Sequence, residues 1–309
     1  MNLEDLKQLI SAGTVTEQEK LSSYTTFGVG GPARFFVTPG TIDELSALLC
    51  FLNENGEEYF ILGNGSNLLV SDRGYQGTVI NLGRNSNDDF STMTCYRVDG
   101  VPLIRASAGV KLAAVSRLAE RNSLTGLEAL SGIPGSVGGA VYMNAGAYGT
   151  EVKDVFSSCR ALTKDGKILD LKQTDIDFGY RFSSVSSDDR IVLDVTLQLT
   201  DGNAESIRSL MQEYADKRKS KQPIELPSAG STFKRPAGYF AGKLIEDAGL
   251  RGYRLGGASV SSKHCGFIVN DNKATADEIY QLINYVKNRV FENSGVLLET
   301  EVKMIGEFS

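Results

Sequence analysis

The stretch Gly126–Gly149 reads GLEALSGIPGSVGGAVYMNAGAYG, with glycines at 126, 132, 135, 138, 139, 146 and 149 among small and apolar residues. Flexible linkers are rich in Ser, Glu, Lys and Gln, whereas this stretch carries Leu127, Leu130, Ile133, Val137, Val141, Tyr142 and Met143. A residue without a Cβ permits left-handed backbone and lets a ligand lie directly on the main chain, with amides turned toward it. The stretch therefore predicts a ligand cradle rather than a floppy surface loop. Earlier, Tyr59-Phe-Ile-Leu62 reads as a short buried strand, followed by Gly63-Asn-Gly-Ser-Asn67 and Leu68-Leu-Val70. A tight glycine turn after a strand forms an anion-binding nest, so the two turns together point to a ligand carrying a diphosphate.

Two nucleotide-binding fingerprints are tested by context. Gly28-Val-Gly-Gly-Pro-Ala33 fits G-x-G-x-x-A, but it leads into strand-like Arg34-Phe-Phe-Val-Thr-Pro39, and a Rossmann turn must open a helix. Gly63 to Leu68 is followed by Ser71-Asp-Arg-Gly-Tyr-Gln-Gly77, which has no helical period, and no Gly-Lys-Ser/Thr follows either turn. Rossmann and P-loop readings are both disfavoured.

The chain has 309 residues, 38 acidic against 32 basic, for a formal charge of -6. That length supports two or three domains or subdomains, and the mild acidity disfavours a nucleic-acid partner, whose phosphates require a basic face. No apolar run reaches membrane-spanning length and Met1-Asn-Leu-Glu-Asp-Leu6 does not read as a signal segment, so a cytoplasmic protein without membrane attachment is expected. Cys50, Cys95, Cys159 and Cys265 form no C-x-x-C pair and read as reduced thiols. His264 is the single histidine, which rules out histidine-pair metal sites; no structural metal is expected.

Mixed helical and strand periods give an α+β class. Thr41-Ile-Asp-Glu44 is a capping box opening a helix to Gly56, and Lys111–Arg121 is a short helix predicted to pack behind the cradle. Ser158–Thr163 and Lys167–Leu171 flank the hairpin signal Lys164-Asp-Gly166, and Arg190–Thr200 reads as a long alternating strand. A helix from Asn203 to about Lys219 ends in a basic run before Pro223 and Pro227, where a domain boundary is expected. The last section predicts helices Tyr239–Ala248 and Thr275–Asn293, the second opened by the capping box Thr275-Ala-Asp-Glu278, and strands Cys265–Asn270 and Val296–Ile305.

Six motifs, in order, then carry a resemblance: Tyr24-Thr-Thr-Phe-Gly-Val-Gly-Gly-Pro-Ala33, Gly63-Asn-Gly-Ser-Asn67, Ser131-Gly-Ile-Pro-Gly-Ser-Val-Gly-Gly139, Gly179-Tyr-Arg-Phe-Ser183, Ala229-Gly-Ser-Thr-Phe-Lys-Arg-Pro236 and Leu298-Glu-Thr-Glu-Val302. The set resembles the UDP-N-acetylenolpyruvoylglucosamine reductase family and covers nearly the whole chain. The resemblance implies a flavoenzyme of peptidoglycan precursor synthesis, with an FAD-binding domain of the vanillyl-alcohol-oxidase type in two subdomains, residues 1–84 and 85–222, and a C-terminal α+β substrate-binding domain, residues 223–309. Residues 182–202 contain no tyrosine, so the chain is similar to the shorter branch that lacks a tyrosine-bearing loop over the substrate.

By the same resemblance FAD lies against Thr25, Thr26, Phe27, the turn Gly63, Asn64, Gly65, Ser66, Asn67 and Leu68, and the residues Ser131, Gly132, Ile133, Pro134, Gly135, Ser136, Gly138, Gly139 and Ala140. NADPH is the implied reductant and UDP-N-acetylglucosamine-enolpyruvate the implied substrate, in a monomer or weak dimer. Arg181 and Glu301 are implied beside the substrate carboxylate and Ser231 as proton donor. A glutamate in that place donates only when protonated, which burial can produce. Tyr180 belongs to the same implied site, and Lys221, Lys234 and Arg235 suit a diphosphate by charge. Read residue by residue, Arg181 also suits a surface arginine covering apolar neighbours, Ser231 a turn cap, and Lys217–Lys221 a solvated helix end. A flavin oxidase of the same fold and a non-catalytic nucleotide module are the other classes that the glycine turns admit.

Overall fold

A computed structural model describes every residue of the chain except Arg84 and Ser86. The expected subdomain boundary between residues 84 and 85 falls at Arg84, outside the described residues. The chain gathers into two compact units: the first is Met1–Glu17, Phe35–Asn64 and Gly77–Asp216, and the second is Gln18–Arg34, Gly65–Gln76 and Lys217–Ser309. Among the described residues no helix is long and apolar enough to cross a membrane.

The first unit is built on a five-stranded antiparallel sheet in the order Ile168–Lys172, Phe156–Leu162, Ile191–Gln198, Val101–Ser107, Met93–Val98. Its first hairpin turns at Lys164-Asp-Gly166 as expected, with Thr163 N donating to Lys167 O at 2.9 Å and Gly166 at φ +78°. The central strand, read from sequence as alternating, is instead buried almost throughout. Both of its faces are covered: Val195 and Leu197 join a core with Leu112, Val115, Val137 and Val141, while Ile191 and Leu193 join another with Leu45, Leu48, Leu49 and Leu52. A strand buried on two sides loses its polar alternate face. The one charge it carries, Asp194, is 5% exposed and held by Arg105 through two bonds of 3.0 Å and by Arg160 Nε at 2.6 Å, which supplies the partners a buried carboxylate needs.

A second sheet runs Thr14–Lys20, Pro32–Thr38, Tyr75–Asn81, Tyr59–Leu62, with the last two strands parallel from Tyr59↔Thr78 to Leu62↔Asn81. The helix Ile42–Glu54 follows from Thr41, whose hydroxyl accepts from Glu44 N at 3.1 Å. The reciprocal half of the expected capping box is absent. Glu44 instead accepts from Ser11 N and Ala12 N, each at 2.6 Å, and from Gly40 N at 2.7 Å, so it ties the end of the Leu3–Leu9 helix to the start of the next. Its own helix finds a different anion, with Ile42 N donating to Asp89 at 2.9 Å.

The second unit packs helices Ala241–Asp247 and Ala276–Ser294 on a three-stranded sheet, Arg254–Leu255, Ala258–Val260, Ile268–Asn270. Ile279, Leu282, Ile283, Val286 and Val290 form the buried helix face, as their spacing predicts. Here the capping box is complete: Glu278 N to Thr275 Oγ1 at 3.1 Å and Thr275 N to Glu278 Oε2 at 3.0 Å. The expected strand Cys265–Asn270 shortens to Ile268–Asn270 because Gly266 N turns back onto His264 Nδ1. The expected strand Val296–Ile305 contracts to Lys303–Ile305, since residues 299–301 pair with one partner and 303–305 pair in parallel with Leu68–Val70.

Burial raises the Glu44 carboxyl, but the amides of Ala12, Gly40 and Ser11 and the Ser11 hydroxyl together hold it below the ordinary glutamate range. A carboxyl depressed in the folded state stabilises the fold above its unfolded pKa, and that contribution disappears as pH falls through the folded value. Glu44→Gln is therefore expected to lose about 1–3 kcal/mol of unfolding free energy at pH 7. In denaturant titrations the gap between variant and parent should close on acidification below about pH 4.

Candidate active site

In the first unit, the turn at Gly63 and the stretch Ser131–Ala140 touch main chain to side chain with no room to spare. A Cβ built on Gly63 would lie 2.7 Å from Ser136 Oγ, and one on Gly83 2.2 Å from the Gly63 carbonyl carbon. Ser136 caps the short helix Val137–Tyr142 by accepting from Gly139 N at 3.3 Å. The stretch is held from behind: Val137 N donates to Val110 O at 2.8 Å, Gly138 N to Ala108 O at 2.9 Å, and Leu112 N to Gly135 O at 2.9 Å. The helix Leu112–Arg121 thus starts against the cradle, as its place in the sequence predicts. Ser136 and Gly138 face inward, whereas Gly132, Pro134 and Gly139 are exposed and present main chain outward.

The motif Gly179–Ser183 forms a hairpin, Gly179 opposite Phe182, with Tyr180 and Arg181 as its two-residue turn. Arg181 sits at φ +54°, which costs a non-glycine residue about 1–3 kcal/mol. Its Nη2 donates to Gly146 O at 3.0 Å, and its guanidinium carbon lies 5.0 Å from the centre of the Tyr180 ring. The arginine is thereby held on the last glycines of the same stretch that forms the cradle.

In the second unit, Ser231 and Glu301 lie on adjacent antiparallel segments. Glu301 N donates to Thr232 O at 2.8 Å, Phe233 pairs with Thr300, and Lys234 N donates to Glu299 O at 2.9 Å. Ser231 is exposed and follows Gly230 at φ +76°, while Thr232 is fully buried and its hydroxyl accepts from Ile268 N at 3.0 Å. Thr232 N donates to Gly266 O, and Gly266 N donates to His264 Nδ1 at 3.1 Å. Burial pushes the His264 imidazole below its usual range, and Arg251 lowers it further, in keeping with a neutral ring that accepts at Nδ1.

The remaining expected residues divide sharply. Asn67 belongs to the glycine turn, but its amide nitrogen donates to Glu301 O at 3.0 Å and its carbonyl accepts from Lys303 N at 3.0 Å, so it braces the Glu301 segment. Nothing in the spacing of Asn67 and Glu301, 234 residues apart, signals this. The amide of Thr26 donates to Gly65 O at 3.1 Å. The Phe27 ring is fully buried in the core of the unit, so Phe27 reaches a ligand only through main chain, and the Thr25 hydroxyl gives its hydrogen to Val29 O, which leaves it an acceptor. Lys234 is paired with Glu299 at 3.1 Å and Arg235 lies 4.0 Å over the Phe240 ring. Lys221 ends the helix Ala204–Lys221 and is exposed. In Gly28-Val-Gly-Gly31 the last two glycines serve packing, since a Cβ on Gly30 would lie 2.8 Å from Val70 Cβ and one on Gly31 2.2 Å from Asp72 O, while Gly28 supplies a left-handed φ of +69°.

Comparison with known proteins gives this geometry its context. Residues 222–305 match the family described as UDP-N-acetylenolpyruvoylglucosamine reductase, C-terminal domain, and residues 33–172 match an FAD binding domain. The UDP-N-acetylenolpyruvoylglucosamine reductase of Lachnoclostridium phytofermentans is 48% identical over 99% of this chain and 97% of its own. That of Clostridioides difficile is 43% identical over 99% of this chain and 100% of its own. The crystal structure of the Thermus caldophilus reductase superposes with a TM-score of 0.78 at 36% identity, covering 95% of this chain and 99% of that one.

The cradle residues fit an FAD. Among the described residues the Asn64 side-chain oxygen is buried without a hydrogen-bond partner, and the amides of Asn64, Gly65 and Ser66 have no acceptor. Buried polar atoms in native structures are rarely left so, and here they await a polar ligand. A bare main chain at Gly63, Gly83 and Gly138 leaves the surrounding turns close-packed without side chains. The chain, an α+β flavoprotein with a vanillyl-alcohol-oxidase-type FAD-binding domain and a substrate-binding C-terminal domain, belongs to the UDP-N-acetylenolpyruvoylglucosamine reductase family.

Proposed function

We propose that the chain is a cytoplasmic, NADPH-dependent reductase that converts UDP-N-acetylglucosamine-enolpyruvate to UDP-N-acetylmuramate, acting as a monomer or weak dimer. Within this reading residues 1–84 and 85–222 are the two FAD-binding subdomains and 223–309 the substrate-binding domain. The turn Gly63–Leu68 and the stretch Ser131–Ala140 would hold FAD, which would supply the hydride chemistry that links NADPH to the terminal carbon of the enolpyruvyl group.

The protein's own residues handle the charge and the proton. As the terminal carbon gains hydride, negative charge develops on the neighbouring carbon and its carboxylate. Arg181, already fixed on Gly146 O and held at a strained backbone angle, offers donors to that carboxylate in advance, so little reorganisation is left for the reaction. Glu301 contributes at the same carboxylate. The Ser231 hydroxyl delivers a proton to the charged carbon, completing the addition of two hydrogens across the double bond, and its exposure lets solvent restore the proton. Tyr180 lines this site, and Lys234, Arg235 and Lys221 meet the diphosphate. The observation that carries the reading is the Thr232–Glu301 pairing, which sets Ser231 and Glu301 on neighbouring segments of one unit. Asn67, which donates to Glu301 O, and His264, which accepts from the Gly266 whose carbonyl Thr232 bonds, support a rigid proton donor.

The purified protein is expected to show flavin absorption that bleaches when NADPH is added without oxygen and returns when the enolpyruvyl UDP-sugar follows; a colourless chain that takes up no FAD overturns the reading. Ser231→Ala should leave bleaching by NADPH at the parent rate and slow the return of colour by roughly 10²–10⁴-fold. Rapid-mixing measurement of the two half-reactions checks this, and two unchanged rates would remove the proton-donor role.

A further inference from the structure

Arg181 stands on a two-residue turn at a strained φ, so something must hold the hairpin beneath it. Its strands, Phe178–Gly179 and Phe182–Ser183, are two residues each and share only the Phe178↔Ser183 and Gly179↔Phe182 pairs, too little to be stable alone. Three bonds tie this hairpin to residues 142–146. Arg181 itself reaches Gly146 O; the Ser183 hydroxyl, fully buried, donates to Tyr142 O at 3.0 Å; and Asn144 Nδ2 donates to Gly179 O at 2.9 Å.

Asn144 is the centre of this arrangement. It is fully buried and sits at φ +42°, a left-handed angle that asparagine tolerates better than most residues. Its side chain spends both its amide hydrogens and its oxygen: Nδ2 donates to Gly179 O and to Glu151 Oε2 at 3.1 Å, and Oδ1 accepts from Lys153 N at 3.0 Å. One side chain thus joins the end of the cradle, the Glu151–Asp154 turn and the base of the Arg181 hairpin. An aspartate has the same shape but no donors, and an alanine leaves buried groups on all three segments unpaired.

We infer that Asn144 is a positioning residue for Arg181, setting where the guanidinium meets the substrate carboxylate. This rests on the assignment of Arg181 to that carboxylate. Asn144→Ala is expected to keep FAD and its bleaching by NADPH, and to slow the return of colour with the enolpyruvyl UDP-sugar by roughly 10–100-fold, the order that misplacing a clamp costs. Asn144→Gly, which accepts the left-handed angle without strain, and Ser183→Ala, which removes a separate anchor of the same hairpin, should show the same signature if Asn144→Ala fails to fold.

The decisive measurement is a double-mutant cycle on the substrate half-reaction, with Arg181→Ala as the second site. A residue acting through Arg181 has nothing left to position once the guanidinium is gone, so Asn144→Ala should cost little in the Arg181→Ala background. A purely structural loss would lower the rate by the same factor in both backgrounds, and that result overturns the inference. Arg181→Ala with a parental substrate half-reaction instead overturns the underlying assignment of Arg181, and the positioning role with it. Slowed return of colour by Arg181→Ala alone, with Asn144→Ala, Asn144→Gly and Ser183→Ala all at the parental rate, keeps that assignment and rejects the positioning role.

Discussion

Everything at the cradle depends on the absence of side-chain atoms where turns meet. Gly63, Gly83 and Gly138 each sit where a Cβ would lie under 3.0 Å from a neighbouring heavy atom: Ser136 Oγ, the Gly63 carbonyl carbon and Ala108 Cβ. Close packing leaves no slack for such an atom, and a methyl group at any of these positions would push apart the turns that present amides and the Asn64 oxygen. Within the Gly126–Gly149 stretch this constraint acts at Gly138 and again at Gly146, where a Cβ would lie 2.8 Å from Glu151 Cγ. Of its seven glycines Gly126 and Gly149 adopt a positive φ, so close approach and left-handed backbone both shape its composition.

A second theme is how the protein spends its buried polar groups. Asp194 takes two arginines on the central strand, Glu44 gathers amides from two chain segments, Asn144 joins three, and Thr232 donates and accepts through its backbone and accepts again through its hydroxyl. Leaving any of these unpaired would cost about 1–3 kcal/mol, and none is left so. What they share is long sequence reach: each fixes one segment against another distant in the chain. The segments so fixed include the hairpin of Arg181 and the segment of Ser231, the two groups proposed above to act on the substrate.

How much of this was legible in the chain varies with the range of the interaction. The helix Ala276–Ser294, its capping box and its apolar face are local and were readable from period and spacing. So was the Lys164–Gly166 turn. The hairpin Met93–Val98 and Val101–Ser107 went unread although Asp99-Gly100, at φ +50° and +82°, carries the turn signal; its edge strand is largely exposed and shows no apolar alternation to draw attention. The long final strand was over-read because residues 299–301 and 303–305 pair with two different partners on either side of a bend at Val302. The central strand was read as alternating because coverage of its second face by a helix 140 residues earlier leaves no local trace.

The sequence by itself determined the kind of ligand, the order of the motifs and so the family, because glycine turns and ordered short motifs are properties of local chain. Through that resemblance it also singled out Arg181, Ser231 and Glu301 as candidates. Only the tertiary structure decided what holds those residues: that Asn67 braces the Glu301 segment, that Thr232 pairs with it, and that Asn144 and Gly146 fix the hairpin carrying Arg181. The reason is physical. A side-chain hydrogen bond between residues tens or hundreds of positions apart has no period and no spacing, and it comes into being only when folding brings donor and acceptor within about 3 Å.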